Sequence, residues 1–164
     1  MFKIGTYVVY GNTGVCRIDD ITTLDMPGTS GDRQYYVMSP VRNQGRKDYL
    51  PVDNDKVVLR DVITKEEALA LLDMIPDIEA LTVDNDKLRE ERYKETARKS
   101  DCKSWVSIIK TICARKQERI ARGKKVTTTD ERYYRMVAEQ LYGELAFALE
   151  KDVDEVEQAV MDRI

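Results

Sequence analysis

The chain has 164 residues, enough for one ordinary domain or two small ones. It is 42% hydrophobic and 35% charged, with a net charge of -3, so it can bury a core, and no apolar run approaches the roughly 18 residues of a membrane span. It contains no histidine, which removes the commonest general base and the commonest zinc ligand and excludes His-dependent nucleophile or metal chemistry.

The opening MFKIGTYVVYG lacks the basic start, apolar middle and small-residue cleavage site of a secretory signal. Cys16, Cys102 and Cys113 show no CxxC spacing and read as reduced thiols. The expected location is the cytoplasm, away from any membrane, with no metal and no cofactor.

In chain order, the first sixty residues read as β. TYVVYGNTGVCRIDDI holds two β-branched runs separated by Gly11-Asn12-Thr13-Gly14, a hairpin signal. MPGTSGDR, residues 26–33, is the next turn, followed by RQYYVMSPV, then YLPVDN and KVVLR. Five short strands of this kind are most economically a small SH3-like barrel, because closure hides sheet edges.

From Thr64 the period changes. Thr64-Lys65-Glu66-Glu67 fits a capping box; a short apolar helix follows and Pro76 ends it. IPDIEALTVDND is a connector. The polar stretch 86–99, with Leu88, Tyr93 and Ala97 as its sparse apolar residues, predicts a helix that is not deeply buried. Ser100-Asp101 can cap a third helix, in which Trp105, Ile108, Ile109, Ile112 and then Lys116 or Ile120 form a core stripe. Gly123 terminates it. Thr128-x-x-Glu131 reads as a capping box for a fourth helix carrying Tyr134, Val137, Ala138, Leu141, Leu145 and Ala148, and a last short helix starts near Asp152. The expected class is α+β: a five-stranded barrel over 1–62 and an all-α helical bundle over 63–164.

Charge is unevenly placed. Residues 87–125 hold 14 lysines and arginines against 5 acids, while residues 1–86 and 126–164 are each acidic by six charges. A cationic block of this density matters to an anionic partner more than the overall charge does; the plainer reading is a solvated helix face. With no zinc spacing, no tight helix-turn-helix glycine and no RNA-binding aromatic motif, the block suits backbone contact rather than base reading. Trp105, in the middle of the apolar stripe, reads as core. Tyr93 and Tyr133 read as packed, and Cys102 and Cys113 as small buried residues. The acidic pairs Asp19-Asp20, Asp53/Asp55 and Glu66-Glu67 form no evident dyad, and no phosphate-binding glycine loop occurs. No enzyme is expected.

FKIGTYVVYGNTGVCRIDDI resembles the opening of the CarD/CdnL family, F-x-x-G-D-x-V-V-Y-P-x-x-G-x-x-x-I: Phe2, Gly5, Val8, Val9, Tyr10, Gly14 and Ile18 match, with Thr6 and Gly11 in place of the usual Asp and Pro. YYVMSP and YLPVDN resemble its later strands, and the stretch from IIKTICARKQERIARGKKVTTTDERYY to ELAFAL resembles a clostridial type of its C-terminal domain. The transcription-repair coupling factor shares the N-terminal module. The resemblance implies a Tudor-like module that binds the β subunit of RNA polymerase and a helical domain that contacts promoter DNA at the upstream edge of the bubble, stabilising the open complex without catalysis. By position it places polymerase contacts at Leu24, Arg46, Tyr49, Leu50 and Pro51, with Tyr49 where an Arg is common. It places DNA contacts at Arg89, Arg115, Arg119 and Arg132, enriched by Arg122, Lys124 and Lys125. The family's minor-groove Trp falls near Thr82. The alternative is an adaptor that binds polymerase or another protein without DNA, which the missing Trp and the acidic ends favour.

Overall fold

The computed structural model describes residues 1–24, 27–28 and 31–164, so the turn expected over 26–33 lies partly outside the described residues. The chain divides into two compact units, Met1–Val62 and Ile63–Ile164. The first carries an antiparallel sheet and the second carries helices, an α+β class.

In the first unit the strands are β1 (Tyr7–Tyr10), β2 (Gly14–Thr23), β3 (Gln34–Pro40), β4 (Asp48–Pro51) and β5 (Leu59–Asp61). They lie in the order β4-β3-β2-β1-β5. Val8, Cys16, Ile18, Tyr36, Met38 and Leu50 form the buried core, with Phe2, Tyr10, Ile21, Val52 and Leu59 packed at its margin. The link between β1 and β2 is a 3₁₀ turn at Gly11–Thr13. Gly11 has φ +42°, and a Cβ there would stand 2.7 Å from Val57 Cγ1, so a side chain at this turn strains the backbone and displaces Val57.

The expected barrel does not close. Among the described residues β4 pairs with β3 and β5 with β1, and the two outer strands do not pair with each other. They are only 4 and 3 residues long, and Pro51 has no N–H for a further ladder bond.

Between Ile18 and Asp20 the register against β3 shifts, leaving Asp19 as the extra residue of a bulge. The bulge aims Asp19 at β3 and the loop beyond it: Lys47 Nζ lies 2.7 Å from Asp19 Oδ2, and Ser39 Oγ donates to the same oxygen. These bonds, Lys47 first and Ser39 second, hold the Asp19 carboxyl below the usual carboxylate range.

The second unit contains α1 (Lys65–Met74), α2 (Arg89–Ala97), α3 (Cys102–Ala121), α4 (Thr128–Leu149) and α5 (Val153–Met161). The Thr64 capping box is complete, with the Glu67 N–H donating to Thr64 Oγ1 at 3.1 Å and the reciprocal bond also present. Asp101 caps α3, accepting from the Ser104 N–H at 2.8 Å. At its other end, Gly123 at φ +73° lets Lys124 N–H reach the Arg119 carbonyl at 2.8 Å and its own N–H reach that of Ile120 at 2.9 Å, a Schellman stop. The α4 cap is Thr127, one residue earlier than the Thr128 box, and accepts from Asp130 N–H at 3.1 Å. Asp130 faces inward, where its carboxylate has partners of its own.

Helix α4 is the common neighbour: α1, α2, α3 and α5 all pack on it. Trp105, Ile108, Ile109 and Ile112 of α3 are buried, as are Leu141 and Leu145 of α4 and Val156 and Val160 of α5. Ile120 lies past the end of this stripe and is exposed. Helix α2 departs from its polar composition: Tyr93, Thr96 and Ala97, spaced i, i+3, i+4, are all buried. Tyr93 contributes the largest buried side chain of that face. Cys102 is buried and Cys113 half-buried. The buried Glu144 accepts the Ile63 N–H at 3.0 Å and the Cys102 thiol at 3.3 Å.

Candidate functional site

The connector after α1 has little regular structure, yet α3 holds it in place. Lys110 Nζ donates to the carbonyls of Pro76 at 3.2 Å and Ile78 at 2.7 Å. Ser107 Oγ donates to the Glu79 carbonyl at 2.8 Å, and Leu81 N–H donates to Thr111 Oγ1 at 2.8 Å. Residues 107, 110 and 111 share one helix face, and 114, 115 and 118 continue it. Extended backbone without a ladder is satisfied here by side chains.

Past the last of these bonds the connector and α3 leave a groove of about 500 Å³. Its walls include Ala80, Leu81, Thr111 and Ala114, and its charged lining is Arg89, Arg115, Arg119, Arg122 and Lys124 against Asp86 and Glu118. So five of the cations named from the sequence converge on one concave surface. Arg132 and Lys125 are not part of that lining.

These cations are not equivalent. Arg115 Nε lies 2.8 Å from Oδ2 of Asp130, which is 0% exposed, and its NH1 lies 3.2 Å from Asp86. Asp130 Oδ1 also accepts the Tyr93 hydroxyl at 2.9 Å. Burial first, with Asp130 reinforcing it and Arg89 opposing it, pushes the Tyr93 phenol up to about 12. Arg89 pairs with Asp86 at 2.9 Å. One polar network therefore joins the turn at Asp86–Leu88 to α2, α3 and α4. Arg132 bonds Glu90 and stacks on Tyr133 at 5.3 Å. Arg119 Nε donates to the Lys125 carbonyl at 2.7 Å, fixing the turn after α3. Arg122, the C-cap of α3, pairs with Glu118 one turn back, and both are more than half exposed. Lys124 and Lys125 are exposed. The solvent-facing charge is thus at the Arg122–Lys125 end, and the anchored charge at Arg89 and Arg115.

Trp105 is 2% exposed and is a core residue, while Thr82 is exposed and offers no wedge. What composition could not reveal is Asp86, an acid inside the basic groove, and the seating of Arg115 on Asp130, because both depend on pairings between segments far apart in the chain.

The sheet unit offers a different surface. Val52 N–H donates to the Gln34 carbonyl at 3.0 Å, and Leu50 stands opposite Tyr36 in the same alternation. Leu50 therefore bonds inward, and the backbone of Tyr49 points away from β3. The Tyr49 side chain is 48% exposed, opposite half-buried Val37. Leu50 is 5% exposed and its side chain belongs to the core. Arg46 pairs with Asp48 at 2.9 Å, and Leu24 is half-buried beyond the end of β2. Pro51 borders a cleft of about 280 Å³ with Phe2, Tyr36, Val52, Val57 and Leu59, where β4 and β5 stay apart. Cys16 lies in this core, and burial pushes its thiol up to about 12, so it is no nucleophile at neutral pH. Among the described residues no helix is long and apolar enough to cross a membrane.

Residues 2–63 match the family model described as the CarD-like/TRCF RID domain. The match covers the sheet unit and stops where the helices begin. No curated protein sequence matches the chain.

Proposed function

We propose that this protein, whose N-terminal unit is a CarD-like RNA polymerase-interacting domain, is a transcription regulator. The sheet unit docks on the β subunit of RNA polymerase through Tyr49 and the outer edge of β4. The helical unit lays its cationic groove on the backbone of promoter DNA and modulates open-complex stability. Such a protein needs no catalysis, since only its difference in affinity for closed and melted promoter shifts that equilibrium. The observation that carries the reading is the polymerase-interacting domain joined to a unit whose cations gather on one concave surface.

Two variants of the full chain test it. Tyr49→Asp weakens capture of polymerase in a pull-down, because a charge on a desolvated contact is costly; unchanged capture moves the docking surface elsewhere. Reversing Arg119, Arg122 and Lys125 together to Glu abolishes association with open promoter DNA while polymerase capture persists. Parental DNA binding by the triple variant ends the DNA assignment.

The adaptor reading has one observation in its favour: Arg89, Arg115 and Arg132 already carry acidic partners. Salt separates the two. Contact through Arg119, Arg122, Lys124 and Lys125 gives a log–log salt slope of about -3 to -4, whereas docking through a strand edge is nearly insensitive.

A further inference from the structure

Asp86 stands among the groove's arginines as an acid on the exposed turn before α2. Its side chain is 80% exposed, yet one oxygen, Oδ1, lies 2.9 Å from Arg89 and 3.2 Å from Arg115. Those hydrogen bonds, Arg89 first, hold its carboxyl below the usual carboxylate range. Arg115 is steadied from behind by buried Asp130. The Arg115 and Arg89 side chains are 20% and 15% exposed. An oxygen shared by two guanidinium groups is also where a phosphate oxygen would sit, and the planar fork of Arg suits phosphate as it suits carboxylate. Arg119, Arg122 and Lys124 line the rest of the groove.

We propose that Arg89 and Arg115 form a seat for one phosphate group, and that Asp86 occupies the seat in the unliganded protein as a built-in competitor that sets the threshold for entry. The occupant rests on the DNA-contact reading: it is a backbone phosphodiester, and a free phosphate presents the same chemistry. The duplex, polyanionic as a whole, or a free dianionic phosphate displaces the single carboxylate, which swings into solvent on an already exposed turn.

The test compares the intact parent chain with Asp86→Asn, with Asp86→Asn/Arg89→Gln, and with Asp84→Asn, which makes the same charge change two residues away. Binding of a labelled duplex is followed by fluorescence anisotropy over a range of salt, and thermal unfolding is followed with and without inorganic pyrophosphate. Asp86→Asn is expected to bind duplex about three- to tenfold tighter, with a salt slope steeper by about one. Asp84→Asn stays near the parent, and the added Arg89→Gln removes the gain. If the parent binds duplex and Asp86→Asn binds it no better, or no better than Asp84→Asn does, the seat is wrong and the DNA reading stands. If neither binds duplex but pyrophosphate raises the melting temperature of Asp86→Asn more than that of the parent, the seat stands and the DNA reading falls. If neither ligand acts on either chain, both are overturned.

Discussion

The two units handle charge in opposite ways. In the sheet unit the core of Val8, Cys16, Ile18, Tyr36, Met38 and Leu50 is apolar apart from one thiol and one phenol, and the ion pairs Lys47–Asp19, Arg46–Asp48 and Arg33–Asp53 lie at its surface. In the helical unit the ionic group Asp130 sits at 0% exposure and is held by Arg115 and Tyr93 from other helices. A short sheet sorts polar from apolar by simple alternation. Several helices meeting on α4 leave polar positions inside, which then need partners. The lesson bears on function: a positive charge counted in the sequence is available to a ligand only if the fold has not already used it.

The largest expected effect sharpens that contrast. Arg115→Ala leaves Asp130 buried without its cation and lowers the stability of the helical unit by about 3–5 kcal/mol. Arg122→Ala, about two turns further on at the C-cap of α3 and exposed, changes it by no more than about 0.5 kcal/mol. Urea titration of both variants checks this, and equal losses would mean that the buried pair does not hold the helical unit together. Any loss of DNA binding by Arg115→Ala must accordingly be separated from loss of fold.

A smaller effect concerns acid. Asp19 has a folded-state pKa below its unfolded value because Lys47 and Ser39 bond its carboxylate. Its contribution is therefore present above the unfolded carboxylate pKa of 3.8 and is lost as pH falls through that value toward the folded one. Asp19→Asn should destabilise the sheet unit near neutrality and flatten its stability profile between about pH 5 and 3. A parallel profile for parent and variant would show that the bulge carries no such linkage.

The smallest effect is a gain. Glu150 closes α4 at φ +53°, with Lys151 N–H on the Ala146 carbonyl at 3.1 Å. A non-glycine residue in that conformation is strained by about 1 kcal/mol. Glu150→Gly should raise stability by about 0.5–1 kcal/mol, read as an upward shift in the melting temperature of the helical unit. A downward shift would locate the strain elsewhere.

The local signals of the chain are legible because they act within a few residues. Turn glycines, β-branched runs and the Thr64 box place the strands and the first helix, and the i, i+3, i+4 spacing of Trp105, Ile108, Ile109 and Ile112 is enough to mark one buried face. The start of α4 is legible only to within one residue. Thr127, Thr128 and Thr129 are chemically alike, and only the folded structure shows that Thr127 takes the Asp130 N–H. The seating of α2 is harder to read, because its composition is almost wholly polar, yet Tyr93, Thr96 and Ala97 are all buried on one face.

By itself, then, the amino-acid order determined the change from strands to helices near residue 63, the similarity of residues 2–63 to a polymerase-interacting domain, and the dense positive block that follows. Tertiary structure alone decided that the sheet stays open between β4 and β5, that Arg89, Arg115, Arg119, Arg122 and Lys124 share one groove, and that Asp86 sits among them. The physical reason is range. Capping, turns and helical periodicity are decided over a few bonds, whereas an ion pair between α3 and α4, or the failure of two edge strands to meet, depends on where distant segments come to rest.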